Sequence, residues 1–354
     1  MTNWEFPVDV NATDNCTKNC PIQLGQVFCD GFHKNGSIGV FTHFHQDHIG
    51  AIKNCIGQYD KLIVHPITFA AIVAMDKGMK LREQWVTQDR TATFPSKVGT
   101  ISLLDANHIP GSCQVHVQTD DYSMLYSGDF NFPEMQIKQA DYLVLDASHG
   151  NIHYDAKSDR KSVMNRLFED VKEKVDNNRP IVIIVPAGTL QELIKNIELG
   201  HSEHISHDIP FVADKKQIAI LNSIYEAEKS EFRDLIEFDE RDFWKLQRKN
   251  SRMVIFLTSL NEVPEELSNY YRIIVGRYRF TETEPAIRVM SNGKGCRYNL
   301  ESHATIENIY SYVEEVKPKV VITDSSRSDY ASTLAKLIKQ KFDGKIKTFS
   351  RPRN

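Results

Sequence analysis

Nowhere does this sequence string together eighteen apolar residues, so no helical membrane span is expected. The first ten residues, MTNWEFPVDV, lack a basic stretch leading into an apolar one, so no secretion leader is expected either. Cysteine is sparse: six residues (Cys16, Cys20, Cys29, Cys55, Cys113 and Cys296) scattered through 354. Without a secretion signal they read as reduced thiols, and Cys16 with Cys20 lacks the second pair that a structural zinc site needs. Neither sign of charge dominates, with 43 Lys+Arg against 47 Asp+Glu and a formal net charge of -4. That balance argues against nucleic-acid binding driven by overall charge but permits a local basic groove. Low-complexity tracts and fixed-period repeats are missing too, which excludes a solenoid. What remains is an ordinary globular composition, expected to be cytoplasmic and long enough for about two packed units.

Along residues 20–150, short apolar runs alternate with turn residues. QVFCD, IGVFT, KLIVHP, TISLLD, CQVHV, SMLYSGD and DYLVLD all read as strands. PITFAAIVAMDKG reads as a helix, with Pro66 at its first turn and Gly78 near its end. Several strands finish on a polar residue: His43, Asp105 with His108, Asp129 and Asp146. Strands that each deliver one group to a shared edge are how α/β sheets build sites. From about residue 159 the pattern changes to strand followed by helix, as in RPIVIIVPAGTLQELIKNIEL, which suggests a smaller, mainly parallel α/β unit. The chain ends on a helix feeding the apolar strand KVVIT and a last helix, DYASTLAKLIKQKF. Periodicity alone does not assign these last seventy residues to either unit.

FTHFHQDHIG, residues 41–50, carries the chemistry, with His43, His45, Asp47 and His48 inside six positions. His43 and His45 alternate, so on an extended strand end they point the same way. Asp47 and His48 follow where the strand gives way to a helix start, a place that also suits an acid on dipole grounds. This spacing can offer His43/His45 to one ion and Asp47/His48 to a neighbour. Imidazole with carboxylate suits zinc, and also iron or manganese. DANHIPGS supplies His108 ahead of a Pro110-Gly111 turn, and LYSGDFNF supplies Asp129 after another apolar run. One carboxylate bridging two ions about 3.5–4 Å apart is the usual device of a two-metal hydrolytic centre. Asp129 is the expected bridge.

Taken in order, THFHQDH, DANHIPG, LYSGDF and LVLDAS resemble the successive motifs of the metallo-β-lactamase fold. Asp30-Gly31-Phe32 is similar to the DxF that precedes the histidine cluster in the DNA cross-link repair, Artemis-like nucleases, and VPAGTLQEL resembles part of the β-CASP insert that they carry. YNLESHATIENIYSYVEEVKPKVVI resembles the return into the lactamase domain, with His303 before its helix. The resemblance implies an αββα sandwich, residues 1–157 and 291–354, with an inserted smaller α/β domain over 158–290. It further implies that His43, His45, His108 and Asp129 hold a first ion, and Asp47, His48 and Asp129 a second. Asp30 would support the ligands from behind, Asp146 would orient a histidine, and His303 would face the scissile phosphate. Asp47, Asp146 and His303 are the expected catalytic groups. Zn2+ is the expected ion, with Mn2+ or Fe also suited.

The sequence departs from the β-CASP ribonuclease pattern after the last apolar strand. VITDSS places Asp324 where those enzymes carry a histidine, an absence shared with the cross-link repair group. The expectation is therefore a DNA 5′-exonuclease using metal-activated water, with DNA preferred over RNA as partner. The alternatives are a β-CASP ribonuclease or a small-molecule metallo-hydrolase of the same fold. Arg277, Lys294 and Arg297, together with Arg279, precede His303 and are the basic candidates for neutralising phosphates.

Overall fold

The computed structural model describes residues 6–10, 20–150, 160–199, 205–206, 208–231, 234–238, 245, 248, 252–259, 263–276, 286–291, 293–300 and 302–350. The chain forms two compact units, one of residues 1–155 with 303–354 and one of residues 156–302.

In the first unit, strands β1 (Val8–Val10), β2 (Ile22–Leu24), β3 (Val27–Cys29), β4 (Ile38–Phe41), β5 (Lys61–Val64) and β6 (Trp85–Thr87) form one sheet in chain order. The first three pair antiparallel, and β3 through β6 run parallel. A second sheet begins with β7 (Thr93–Ser96), β8 (Gly99–Asp105), β9 (Cys113–Gln118), β10 (Ser123–Tyr126) and β11 (Tyr142–Leu145). The seven strands expected from the apolar runs in residues 20–150 are all present. So is the helix Pro66–Met75, with proline in its first turn.

Alternation along these strands explains the layers. Val27, Val40 and Ile63 of the first sheet share one core with Leu103, Val115 and Tyr126 of the second. The other face of the second sheet, through Leu104, Leu125 and Leu143, packs on helices Ile306–Val316 and Ala331–Lys341. The last segment is thus placed by pairing: β19 (Val320–Thr323) lies parallel to β11, and β20 (Lys347–Ser350) parallel to β19.

The second unit has its own seven-stranded sheet, built from β12 (Ile181–Ile184), β13 (Phe211–Ala213), β14 (Leu235–Glu237), β15 (Val254–Leu257), β16 (Tyr271–Val275), β17 (Ile287–Val289) and β18 (Gly295–Tyr298). Their order is β14-β13-β15-β12-β16-β18-β17, parallel except for the β17–β18 pair. Central β12, IVII, is buried on both faces, as a parallel strand covered on each side requires. Its two faces feed two separate apolar clusters. Residues 291–302, expected with the returning segment, fall in this unit, because β18 hydrogen-bonds to β16.

Among the described residues, no helix is long and apolar enough to cross a membrane. Cys20, Cys29, Cys55, Cys113 and Cys296 are buried; Cys16 lies outside the described residues.

Candidate metal centre

Strand β4 ends at Phe41, and the chain continues extended to His45, whose φ of -66° and ψ of 145° cap the short helix Gln46–Ile49. Alternation in this stretch sends Phe44 into the apolar interior (3 % exposed) and puts His43 and His45 side by side. Nε2 of His43 lies 3.0 Å from Nδ1 of His45, and Nε2 of His108 lies 3.3 Å from that same nitrogen. Asp129 Oδ2 completes the group, 3.5 Å from His43 Nε2 and 3.7 Å from His108 Nε2.

Four donors bonded to one tetrahedral ion at about 2.1 Å would stand about 3.4 Å apart. Four of the separations among these donors, between 3.0 and 3.7 Å, match that figure. Ring nitrogens and a carboxylate are also the chemistry that zinc and its neighbours prefer, so His43, His45, His108 and Asp129 fit a metal ion.

Tight turns bring His108 and Asp129 to this place. Ser112 Oγ accepts from the backbone N–H groups of His108 and Ile109 (3.1 and 3.2 Å). Thr68 Oγ1 donates to the Gly111 carbonyl at 2.8 Å, pinning the turn onto helix Pro66–Met75. Gly111 has φ +80°, and a Cβ there would stand 2.8 Å from the Thr68 nitrogen. Gly128, just before Asp129, has φ +56°, with a Cβ placed 2.8 Å from the Cys113 carbonyl oxygen. Both positions therefore require glycine on conformation and on space.

Behind the ligands sits Asp30, fully buried and in the left-handed region at φ 52°. Its carboxylate accepts from Thr42 N (2.7 Å) and Thr42 Oγ1 (2.6 Å), and from His48 Nδ1 (2.8 Å). With its hydrogen given to Asp30, Thr42 Oγ1 serves as acceptor for His43 Nδ1 at 3.0 Å. That network assigns the proton to Nδ1 of both His43 and His48 and turns each Nε2 toward the centre. Nε2 of His48 is buried with no hydrogen-bond partner, facing Asp129 Oδ1 at 3.3 Å.

Charge follows the same geometry. Burial and the neighbouring His48 ring hold His43 well below the usual imidazole range. Burial opposes protonation of His48 too, but the Asp129 and Asp30 carboxylates outweigh it and push the ring up to about 10. Burial alone would raise Asp129, yet His48 and His303 hold it well below the usual carboxylate range.

The remaining expected residues are distributed as follows. Asp47 points outward, its side chain 61 % exposed and its Oδ2 3.6 Å from His48 Nε2. It belongs to neither group of tightly converging ligand atoms found among the described residues, yet its Oδ2 and Asp129 Oδ1 (3.3 Å) flank the same His48 Nε2.

The second group that does converge is Asp129, Asp146 and His303. His303 Nδ1 lies 2.8 Å from Asp146 Oδ2, while its Nε2 is 3.9 Å from Asp129 Oδ2. A 2.7 Å bond from Ala304 N–H to the Phe130 carbonyl lays His303 beside the strand end that carries Asp129. The His149 ring, buried, lies 5.2 Å from that of His303.

Asp324 does not take the place of a histidine ligand. Its Oδ1 accepts from Ser326 N and Oγ (2.8 and 2.6 Å) and its Oδ2 from Arg327 (3.1 Å). Of the basic candidates, Arg277 and Arg279 lie outside the described residues. Lys294 and Arg297 belong to the second unit, with Arg297 on β18 paired opposite Arg288. Thr42, Ser112 and Arg327 escaped the sequence reading, since hydroxyl and guanidinium groups near strand ends carry no distinguishing pattern.

No family model matches the chain. It is similar to an RNase J-like protein of Methanocaldococcus jannaschii, 22% identical over 61% of this chain and 56% of the relative. It is similar to RNase aCSPSF2 of Saccharolobus solfataricus, 26% identical over 52% of this chain and 40% of that one. A 26% portion of the chain is 31% identical to 17% of Ribonuclease J from Mycoplasma pneumoniae. The chain thus spans about half the length of the first two relatives. A crystal structure of a protein of unknown function from Enterococcus faecalis V583 superposes with a TM-score of 0.56 at 12% identity, covering 89% of this chain and 79% of that one. With the sheets described above, these likenesses are consistent with an α/β fold in which residues 156–302 form a unit inserted between the two parts of the other.

Proposed function

We propose that the protein is a metal-dependent phosphodiesterase of the β-CASP nuclease type that acts on RNA. The observation that carries this reading is the convergence of His43, His45, His108 and Asp129 at tetrahedral separations beside His303. A divalent ion on those four residues supplies positive charge next to a phosphate and lowers the pKa of water to about 7.

The chain's own residues do the rest. Asp30, with Thr42, orients the ligand rings, and Asp129 offers its second oxygen toward His48. His303, one-fifth exposed and held through Nδ1 by Asp146, is the group positioned to meet a phosphate oxygen or to donate a proton to the leaving oxygen. Asp47 stands at the solvent edge with its Oδ2 3.6 Å from His48 Nε2, and with His48 and Asp129 it would hold a second ion. Ions other than zinc are compatible with this donor set, and manganese or iron belong in the same test.

RNA takes precedence over the DNA expected from the sequence, because the relatives are described as ribonucleases. One observation favours the second reading, a DNA 5′-exonuclease: Asp324 stands where β-CASP ribonucleases carry a histidine, and both of its oxygens are engaged by its own loop. Cleavage of end-labelled RNA and DNA strands, with 5′-phosphate or 5′-hydroxyl, across zinc, manganese and iron separates the two. RNA should be cut at least tenfold faster than DNA, and Asp129→Ala should abolish cutting and lower metal content in a chain that still folds. Preference for DNA would establish the second reading, and wild-type metal content in the variant would remove Asp129 from the centre.

A further inference from the structure

Arg327 is a charged side chain only 7 % exposed in the loop that follows β19. Its guanidinium joins two parts of the chain some 300 residues apart. One nitrogen donates to Asp324 Oδ2 (3.1 Å) and Ser326 Oγ (2.9 Å). The other donates to the backbone carbonyl of Asp30 at 2.6 Å and, more weakly, to that of Cys20 at 3.4 Å. The loop end is itself anchored, since Asp324 N–H donates to the Leu145 carbonyl (2.8 Å) and Ser328 Oγ to the Ala147 carbonyl (2.6 Å). Both carbonyls belong to the β11 strand end that leads through Asp146.

Asp30 needs such a clamp. It is a non-glycine residue at φ 52°, a conformation that persists only where its surroundings hold it. Its carboxylate orients His48 directly and His43 through Thr42. A planar fork suits the task because one group reaches the Asp324 side chain and the Asp30 carbonyl together, which a lysine ammonium does only as a point charge.

We propose that Arg327 is a positioning residue of the metal centre: by gripping the Asp30 carbonyl from the Asp324–Ser328 loop, it fixes the carboxylate that aims His43 and His48. This role rests on the metal-centre reading above but not on which polymer is cut. Loss of an orienting partner of a metal-bound histidine costs about 10–100-fold in metal affinity, and a clamp one residue further out belongs near the lower figure.

The test is a zinc titration of the full chain against a chromophoric chelator, for wild type, Arg327→Lys and Arg327→Gln, each with and without Asp30→Asn. Far-ultraviolet circular dichroism establishes that each variant is folded. Both Arg327 substitutions should weaken zinc binding about tenfold, and the loss should shrink to less than about twofold when Asp30 is already Asn. Unchanged affinity with only a lower Tm would make Arg327 a staple of the loop and overturn the role. Tighter binding in Arg327→Gln alone would mean that the charge acts through space, and equal losses in both backgrounds would mean that Asp30 is not the route. Should the Arg327 variants fail to fold, Asp324→Asn combined with Ser326→Ala, which takes both the carboxylate and the hydroxyl of the loop away from the guanidinium, should weaken zinc in the same direction, and no change there overturns the proposal. A wild-type chain that takes up no divalent ion at all would overturn the centre itself, and this role with it.

Discussion

Asp146 and His303 meet at 2.8 Å, and this pair separates holding a metal from using it. Because His303 Nε2 stands 3.9 Å from Asp129, outside the tight set of four, His303→Ala should keep the metal content of the wild type. Turnover should fall by about 100-fold, the usual range for a general acid or base. Asp146→Asn should act the same way but less severely, since the ring remains and only its orientation loosens. Metal analysis beside single-turnover rates checks both, and metal lost with His303 would make it a ligand.

A different histidine contributes to acid sensitivity. His65 is buried, accepts from Ile67 N–H as the cap of helix Pro66–Met75, and is pulled down to about 4 by burial and the nearby Arg90. Its folded pKa lies below its unfolded value near 6.5, so the unfolded chain binds the proton first. The stabilisation is complete above about pH 6.5 and is lost as the pH falls toward 4. His65→Asn keeps an acceptor for the cap but removes the titration. Tm measured from pH 7 to 4 should therefore fall less steeply in the variant than in the wild type.

Elements determine how far these residues can stray. The strand runs of residues 20–150 were legible because each is a short apolar run bounded by turn residues, continuous in β5, β10 and β11 and alternating with polar positions in β9. Their ends were legible as site positions for the same reason: His43, His108 and Asp129 all follow an apolar run. The turns after them were less so, since Pro110-Gly111 signals a turn but not the helix on which it presses. Gly111→Ala should therefore act on metal rather than on the core. The left-handed φ costs about 1–3 kcal/mol, and the added methyl meets Thr68 at 2.8 Å, so the loop bearing His108 must shift. Zinc affinity should fall at least tenfold in a folded chain, as read by titration. Gly57→Ala, which has no contact closer than 3.6 Å, is the control that should leave zinc affinity within twofold.

At the scale of the molecule, the two units have separate cores. One comprises residues of β3, β4, β5, β8, β9 and β10, and the other those of β12, β15 and β16 with helix Arg160–Asp176. The four converging ligands all belong to the first unit. A metal that binds only the folded first unit stabilises that unit by mass action. Chelation should thus raise amide exchange around 42–48, 108–113 and 127–130 by tenfold or more. Exchange within Ile181–Ile184 and Val254–Leu257 should stay unchanged, as hydrogen-exchange mass spectrometry would read. Equal loss of protection in both units would mean that they unfold as one.

By itself the sequence determined the ligand types, the strands that carry them and the presence of a second, smaller α/β unit. Those follow from periods of two and 3.6 and from residue chemistry, all local properties of the chain. Only the tertiary structure decided which groups converge. It turned Asp47 toward solvent and His48 onto Asp30, tied Asp324 into its own loop, and kept β18 in the inserted sheet. The physical reason is that His48 and β18 are placed by bonds to Asp30 and β16, distant in the chain, and the Asp324 loop, closed by short-range bonds, is held in place by the distant Leu145 carbonyl. The bonds from Arg327 to the carbonyls of Asp30 and Cys20, some 300 residues away, have no local signature at all.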